Sequence, residues 1–299
     1  MPREAREVRL AVERIKVDFV TFSEGVALTM ILGANRVAVV TGAAGGIGRA
    51  LSLSLAHRGC DLALVDVNQP ELERTAAMVA LTGRRVSLHQ IDVSDQAQMQ
   101  ALPNSVLASH AAIHILINNV GVSLAWPFES ARLEDMEWII KVNLWGVIFG
   151  CRFFLPYLRR EAEAHIVNIS SDFGLIGFPS KTLYCATKFA IRGFSEALRT
   201  ELHGSGIDLT CVYPGAVNTG LIRNGRASEA NKKEREAEFV ERRSIRIEKV
   251  AEKIVRAIER RSSRVIIGRD SYAIDLMTRL FPVLTNNLVS RLQKRIPFV

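Results

Sequence analysis

The chain has 299 residues, 48% hydrophobic and 23% charged, which suits a folded protein with a sizeable core and excludes a largely disordered one. Its formal net charge of +8 is unevenly placed: from Leu221 onward 19 Lys and Arg stand against 10 Asp and Glu. There the basic residues alternate with glutamates in "ANKKEREAEFVERRSIRIEKVAEKIVRAIERR", without repeated aromatic interleaving, so a solvated helical face is expected and nucleic acid is not.

From Arg36 the chain alternates strand and helix. "RVAVVTG" is a short apolar strand broken by glycine, and "GIGRALSLSLAHRG" a helix ending at Gly59. "DLALVDV" is a second strand, "PELERTAAMVALTG" a helix opened by Pro70, and "RVSLHQIDV" a third strand. A helix capped by Ser94 or Asp95 follows, then "HILINNVG" as a fourth strand. A long helical stretch from Leu133 to Tyr157 leads to "AHIVNISS", the fifth strand. The helix carrying "YCATK" and a sixth strand, "IDLTCVYPG", come next; "SRVIIG" reads as a last strand. Continuous apolar strands indicate a sheet covered on both faces. Repeated β–α units with right-handed crossovers predict an α/β fold, a doubly wound parallel sheet of the Rossmann type in three α/β/α layers, with a helical C-terminal extension.

Cys60, Cys151, Cys185 and Cys211 lie far apart, and the six histidines show no ligand spacing. No metal site or disulfide framework is expected, and a reducing, cytoplasmic compartment fits. The N-terminal "MPREAREVRLAVERIKVD" is charged throughout, unlike a secretory signal. "VNLWGVIFGCRFFLPYL" carries Arg152 and Pro156 and reads as a buried helix rather than a membrane span.

The first strand runs into "TGAAGGIG", Thr41 to Gly48. Gly42, Gly46 and Gly48 permit a tight turn and close backbone approach, and the helix opening at Gly46, Ile47 and Gly48 offers free N–H groups to a pyrophosphate. Asp66 ends the second strand, where a carboxylate accepts from an adenosine ribose and repels a 2′-phosphate; NAD is therefore favoured over NADP. Arg49, just outside the turn, is the one nearby cation that could face a phosphate. Asp92, before Val93, either meets the adenine amino group or caps the next helix. Asn118, Asn119 and Gly121 of "NNVG" either fix the sheet edge or line the cofactor.

"TGAAGGIG", "NNVG", the Asn of "KVNLWG", the Ser of "IVNISS", "YCATK" and "YPGAVNT" stand in an order that resembles the short-chain dehydrogenase/reductase family, in its shorter, single-domain type, over roughly residues 35 to 220. Val120 stands where the family usually has Ala, and Thr187 where Ser is commoner. The resemblance implies that Tyr184 is the general acid/base and that Lys188 lowers its pKa and holds the nicotinamide ribose. It also implies that Ser171 hydrogen-bonds the substrate oxygen and that Asn143 holds a water of a proton relay. Pro214, Gly215, Val217 and Thr219 would lie beside the nicotinamide, with Val93 along the cofactor.

Trp126, Phe128 and Phe173 head the candidate substrate-facing residues and favour a hydrophobic alcohol or carbonyl compound. The expected organisation is an N-terminal extension at 1–33, a dinucleotide-binding and catalytic core at 34–220, and at 221–299 a substrate lid, last strand and helical extension. Met30 is a candidate alternative start. The apolar and basic tail caps the cleft, packs between subunits or, last in preference, touches a membrane surface. The resemblance further implies a homodimer or homotetramer. The rival reading is a catalytically silent dinucleotide-binding regulator or scaffold.

Overall fold

The computed structural model describes residues 29–293. The first half builds strands β1 (Val37–Thr41), β2 (Asp61–Asp66), β3 (Val86–Gln90), β4 (Ile115–Asn118) and the short β5 (Leu124–Ala125). The second half adds β6 (Ala164–Ile169), β7 (Ile207–Pro214), the short β8 (Arg226–Ala227) and β9 (Arg264–Ile267). Seven of them form one parallel sheet in the order β3-β2-β1-β4-β6-β7-β9, while β5 pairs with β8. Residues of β1, β4 and β6 are buried at every position, as a central strand covered on both faces requires. The edge strand β3 instead carries Ser87, His89 and Gln90.

The chain steps outward from β1 to β2 and β3, then returns to place β4 on the other side of β1. In register, Val40 has Leu64 on one flank and Ile117 on the other. The crossovers therefore diverge at the C-terminal ends of β1 and β4, opening a crevice there.

Helices α1 (Gly46–His57), α2 (Gln69–Ala80) and α3 (Gln96–Leu107) follow the first three strands. Asn68 caps α2 through Glu71 N–H, and Asp95 rather than Ser94 caps α3 through Gln98 N–H. Asp92 caps no helix. Strand β3 stops at Gln90, and the Asp92 carboxylate accepts from Ser94 N–H and Oγ–H in the turn beyond.

Helix α4 (Leu133–Leu158) is long and apolar enough to cross a membrane by length and composition alone. In the fold it lies against α3, β4 and β6, with Val147, Cys151, Phe154 and Leu158 in the core. One π-turn, Lys141–Trp145, interrupts it and turns Val142 and Asn143 inward. Helix α5 (Thr182–Glu201) precedes β7. Beyond β8 come α6 (Ala230–Arg243) and α7 (Ile247–Glu259), and beyond β9 α8 (Arg269–Leu280) and α9 (Pro282–Leu292).

Two apolar clusters cover the sheet. Leu51, Leu55 and Leu72 pack with Ile254 and Ile258 of α7 on one face; Met99, Leu102, Phe154 and Leu202 fill the other. Helix α7 lies directly on α1, so residues far along the chain close the layer over the glycine turn's own helix. Met30 is buried in the first cluster and its N–H donates to Glu259 O at 2.8 Å. The rest of the N-terminal extension, residues 1–28, and the last residues, 294–299, lie outside the described residues.

Candidate active site

The glycine turn is built by conformation and space together. Gly42 and Gly46 have φ of 68° and 52°, in the left-handed region that side chains disfavour. A Cβ on Gly48 would overlap the Gly42 carbonyl oxygen and come within 2.8 Å of Asn119 Nδ2; one on Gly46 would lie 2.9 Å from Thr219 Cβ. Gly45 caps α1 without a side-chain bond, and no acidic residue stands in the first turn. The N–H groups there are available to an anion at the positive end of the helix dipole.

Asp66 reinforces that turn. Its Oδ2 accepts from Ala44 N–H at 3.1 Å and its Oδ1 from Asn68 N–H at 3.0 Å, while the carboxylate still lines the crevice. Arg49 does not face the crevice as a free cation. Its guanidinium pairs with Glu71 Oε2 at 2.8 Å and donates to Thr75 Oγ1 at 2.9 Å and to the Ala44 carbonyl. On the opposite wall Asn119 Nδ2 donates to Thr41 O and its backbone N–H to Thr41 Oγ1, both at 2.9 Å. Asn118 turns into the sheet, donating to Asn168, which in turn donates to Ser195.

Tyr184 and Lys188 rise from one face of α5, both buried. Ser171 follows β6, and its Oγ donates to Asp172 Oδ1 at 2.9 Å and accepts from Phe173 N–H at 3.2 Å. Ser170 is engaged elsewhere, donating to Lys188 O. Burial pushes the Tyr184 phenol above its ordinary range, and a hydrogen bond with Ser171 acts in the opposite sense. Lys188 does not offset burial here: its Nζ donates to Ile169 O at 3.0 Å and lies 5.7 Å from the Tyr184 ring centroid. Its own pKa is pushed down to about 8 by burial. Burial is thus the largest influence on the phenol, opposite in sense to the lowering by Lys188 that the resemblance implies.

Asn143, carried inward by the π-turn, accepts from Val122 N–H at 2.7 Å and donates to Val122 O at 3.0 Å. It holds the loop after β4 at the position where a Cβ on Gly121 would sit 3.4 Å from Lys188 Nζ. Pro214 ends β7; beyond it Gly215 N–H donates to Ile267 O, and Val217 and Thr219 complete the rim.

The crevice encloses about 700 Å³ and brings together nearly all the sequence-predicted residues: Gly42, Gly46 and Ile47, Asp66, Asp92 and Val93, Asn119 and Gly121, Ser171, Tyr184 and Lys188. Gly48 and Asn143 lie behind its wall. Phe173 and Trp126 do not line it: Phe173 packs edge-on to Tyr184 at 5.8 Å, and Trp126 joins the Leu124–Ile139–Tyr184 cluster. Phe128 is exposed. Trp138, Val142, Leu221 and Asn224 take those places on the wall, and sequence reasoning missed them. It also missed Asp172, whose carboxyl burial pushes up to about 6, although its place beside Ser171 was a signal.

A buried ion pair adjoins the site. Lys181 Nζ reaches Glu236 Oε1 of α6 at 2.6 Å and donates to Ser123 Oγ at 3.1 Å, with the two side chains 2% and 6% exposed. Asp135, fully buried, takes Arg132 at 2.8 Å and Arg226 at 2.6 Å, and the Arg226 guanidinium lies 4.0 Å from the Trp138 ring centroid. Among the described residues no group of His, Cys, Asp or Glu could hold a metal ion.

The short chain dehydrogenase profile matches residues 36–230. The chain belongs to the short-chain dehydrogenase/reductase family. An oxidoreductase named SadH from Mycobacterium tuberculosis is 37% identical over 250 residues, 82% of this chain and 91% of that protein. The crystal structure of a short-chain dehydrogenase/reductase from Burkholderia phymatum in complex with NAD has a TM-score of 0.79 at 29% identity, covering 86% of this chain and 98% of that one. Levodione reductase gives 0.73 at 26% identity, covering 81% and 98%. This short-chain dehydrogenase/reductase is accordingly an oxidoreductase that uses a nicotinamide dinucleotide. The glycine cradle, the uncapped α1 N-terminus and the carboxylate at the end of β2 fit such a group on the geometry above.

Proposed function

We propose that the chain catalyses hydride transfer between NAD and a hydrophobic alcohol or ketone, with Tyr184 as the proton-transferring group. The observation that carries this reading is the buried Tyr184 phenol, hydrogen-bonded to Ser171 and flanked by Lys188 in the crevice. When bound, the nicotinamide supplies or accepts the hydride. The protein's part is then orientation and proton handling. Ser171 Oγ donates to the substrate oxygen, and Tyr184 Oη takes the hydroxyl proton in oxidation or returns it in reduction. Lys188 places positive charge near the phenol and hydrogen-bonds the ribose, and Asn143 holds the loop that fixes Lys188's surroundings and a relay water. Gly42, Gly46, Ile47 and Gly48 take the pyrophosphate, Asn119 and Gly121 border the ribose, and Asp92 and Val93 the adenine. Pro214, Gly215, Val217 and Thr219 border the nicotinamide.

NAD is favoured because Asp66 and Glu71 both line the ribose end, while Arg49 is neutralised by Glu71. A 2′-phosphate would meet two carboxylates and no uncommitted guanidinium. A hydrophobic substrate is supported by Trp138, Val142 and Leu221 on the wall beside Tyr184. One relative, 32% identical over 194 residues, carries the name estradiol 17-beta-dehydrogenase 11 from Macaca fascicularis. On this reading residues 221–243 form the substrate lid, and the helical faces of α4 and α5 join subunits into a homodimer or homotetramer in the cytoplasm.

Fluorescence titration with NADH and NADPH in parallel, followed by turnover of hydrophobic alcohols by Tyr184→Phe, tests the reading. NADH is expected to bind at least ~10-fold tighter than NADPH, and Tyr184→Phe to lose at least ~100-fold in turnover with NADH affinity nearly unchanged. Binding of neither dinucleotide would overturn it. Retained turnover in Tyr184→Phe would remove Tyr184 from the proton step.

A further inference from the structure

Helices α8 and α9 leave an apolar face uncovered. In α8 the sole buried residue is Ser271, and in α9 it is Thr285, which anchors α9 by donating to Met277 O and Phe281 O. Tyr272, Leu276 and Leu280 recur every four residues along α8, and Leu284, Leu288 and Leu292 recur every four along α9. All six are exposed, Leu276, Leu280 and Leu284 by 59%, 61% and 61%. Spacing of four puts each set on one side of its helix, so the pair presents two leucine rows that contribute nothing to the core. Within one chain these side chains do not cap the cleft, which leaves the other two arrangements expected from sequence, packing between subunits and contact with a membrane surface.

Charge decides what covers them. From Leu276 onward the sequence holds Arg279, Arg291, Lys294 and Arg295 and no Asp or Glu. The nearest acid, Asp275, is shared between Arg264 and Arg279, which leaves that cluster one positive charge in excess. A second copy meeting this face isologously would bring its own arginines against these. An anionic bilayer surface complements both features, taking the leucines below the headgroups and the cations at their level. The face also begins beside the crevice: Ser271, at the start of α8, sits where a Cβ on Gly215 would approach its Oγ to 2.5 Å.

We infer that α8 and α9 dock the protein peripherally on anionic lipid surfaces. This is independent of which alcohol or which dinucleotide the crevice takes. The test is sedimentation of the full chain with vesicles of phosphatidylcholine alone and of phosphatidylcholine mixed with phosphatidylglycerol, at low and high salt. Binding is expected to the mixed vesicles, weakening as salt rises. Leu276→Gln with Leu284→Gln should reduce it by at least ~10-fold, since each buried leucine is worth about a factor of ten in partition. NADH titration of the same variant checks that the crevice is intact, because both side chains are surface-exposed. Arg279→Gln with Arg291→Gln should weaken the preference for the anionic mixture. Absence of binding to the mixed vesicles, or equal binding by the leucine variant, overturns the inference. So does a halved solution mass of the leucine variant by light scattering, which would show that a second copy covers the face.

Discussion

Asp172 stands one residue beyond Ser171 and accepts the hydroxyl proton that a substrate oxygen would otherwise compete for. Its negative charge also raises the Tyr184 phenol, adding to burial. Asp172→Asn removes that charge, so the alkaline pKa governing kcat/KM for alcohol oxidation is expected to fall. A pH profile of the variant beside the parent checks this, and an unchanged profile would show that the charge is screened from the phenol. Stability should respond too. Burial raises the folded-state carboxyl from 3.8 to about 6, so the folded chain holds this proton more tightly than the unfolded one. The resulting stabilisation is full below pH 3.8 and is lost as pH rises through about 6. Asparagine has no such loss, and the melting temperature of Asp172→Asn should gain on the parent between about pH 4 and 7. At this scale much of the candidate site was legible: Tyr184 and Lys188 are four apart on a helix, and Ser171 stands just beyond a strand. The state of the phenol was not, because its shift comes from desolvation by side chains distant in sequence.

At the scale of elements, the turn from β1 into α1 and the clasp between α5 and α6 make contrasting demands. Gly48 is fixed by space: Gly48→Ala pushes a methyl into the Gly42 carbonyl, so either α1 or the turn must move. The expected outcome is at least ~10-fold weaker dinucleotide binding together with a lower melting temperature. The Lys181–Glu236 clasp is fixed by charge. Removing one member strands the other in the interior, so Glu236→Ala should cost about 3–5 kcal/mol in denaturant unfolding. The double variant Lys181→Met, Glu236→Leu should recover much of that loss, and a cycle through both single variants measures the coupling. Strands, glycine turn and helix order were legible because each is a local pattern of apolar runs and breakers. The clasp was not: Lys181 and Glu236 are 55 positions apart, and nothing in "SKTLYC" or "KKEREAEFV" marks them as partners. The cap of α3 shows the same limit on a smaller scale, since Ser94 and Asp95 are equally good candidates until the turn at Asp92 engages Ser94.

At the scale of the molecule, the outer face of α4 shows Trp145 stacked toward Phe149, and Phe149 toward Phe153, with ring centroids 5.3 and 5.9 Å apart. Phe189 of α5 is exposed as well. If subunits join through these helices, as proposed, Trp145→Asp with Phe153→Arg should lower the mass measured by light scattering while leaving NADH binding in place. An unchanged mass would place the subunit contact elsewhere. The exposed leucines of α8 and α9 were not foreseeable, because sequence patterns show where an apolar stripe lies but not whether the fold covers it.

The seating of α7 on α1 has a bearing on how the chain is made. Leu51 and Leu55, just past the glycine turn, are covered by Ile254 and Ile258, and β9 seals the sheet only after that. A ribosome therefore delivers α1 some two hundred residues before the segment that shelters its apolar side. During that interval the nascent polypeptide carries a sticky, half-dressed helix. Its escape from aggregation depends on translation speed and chaperone access rather than on the stability of the finished enzyme.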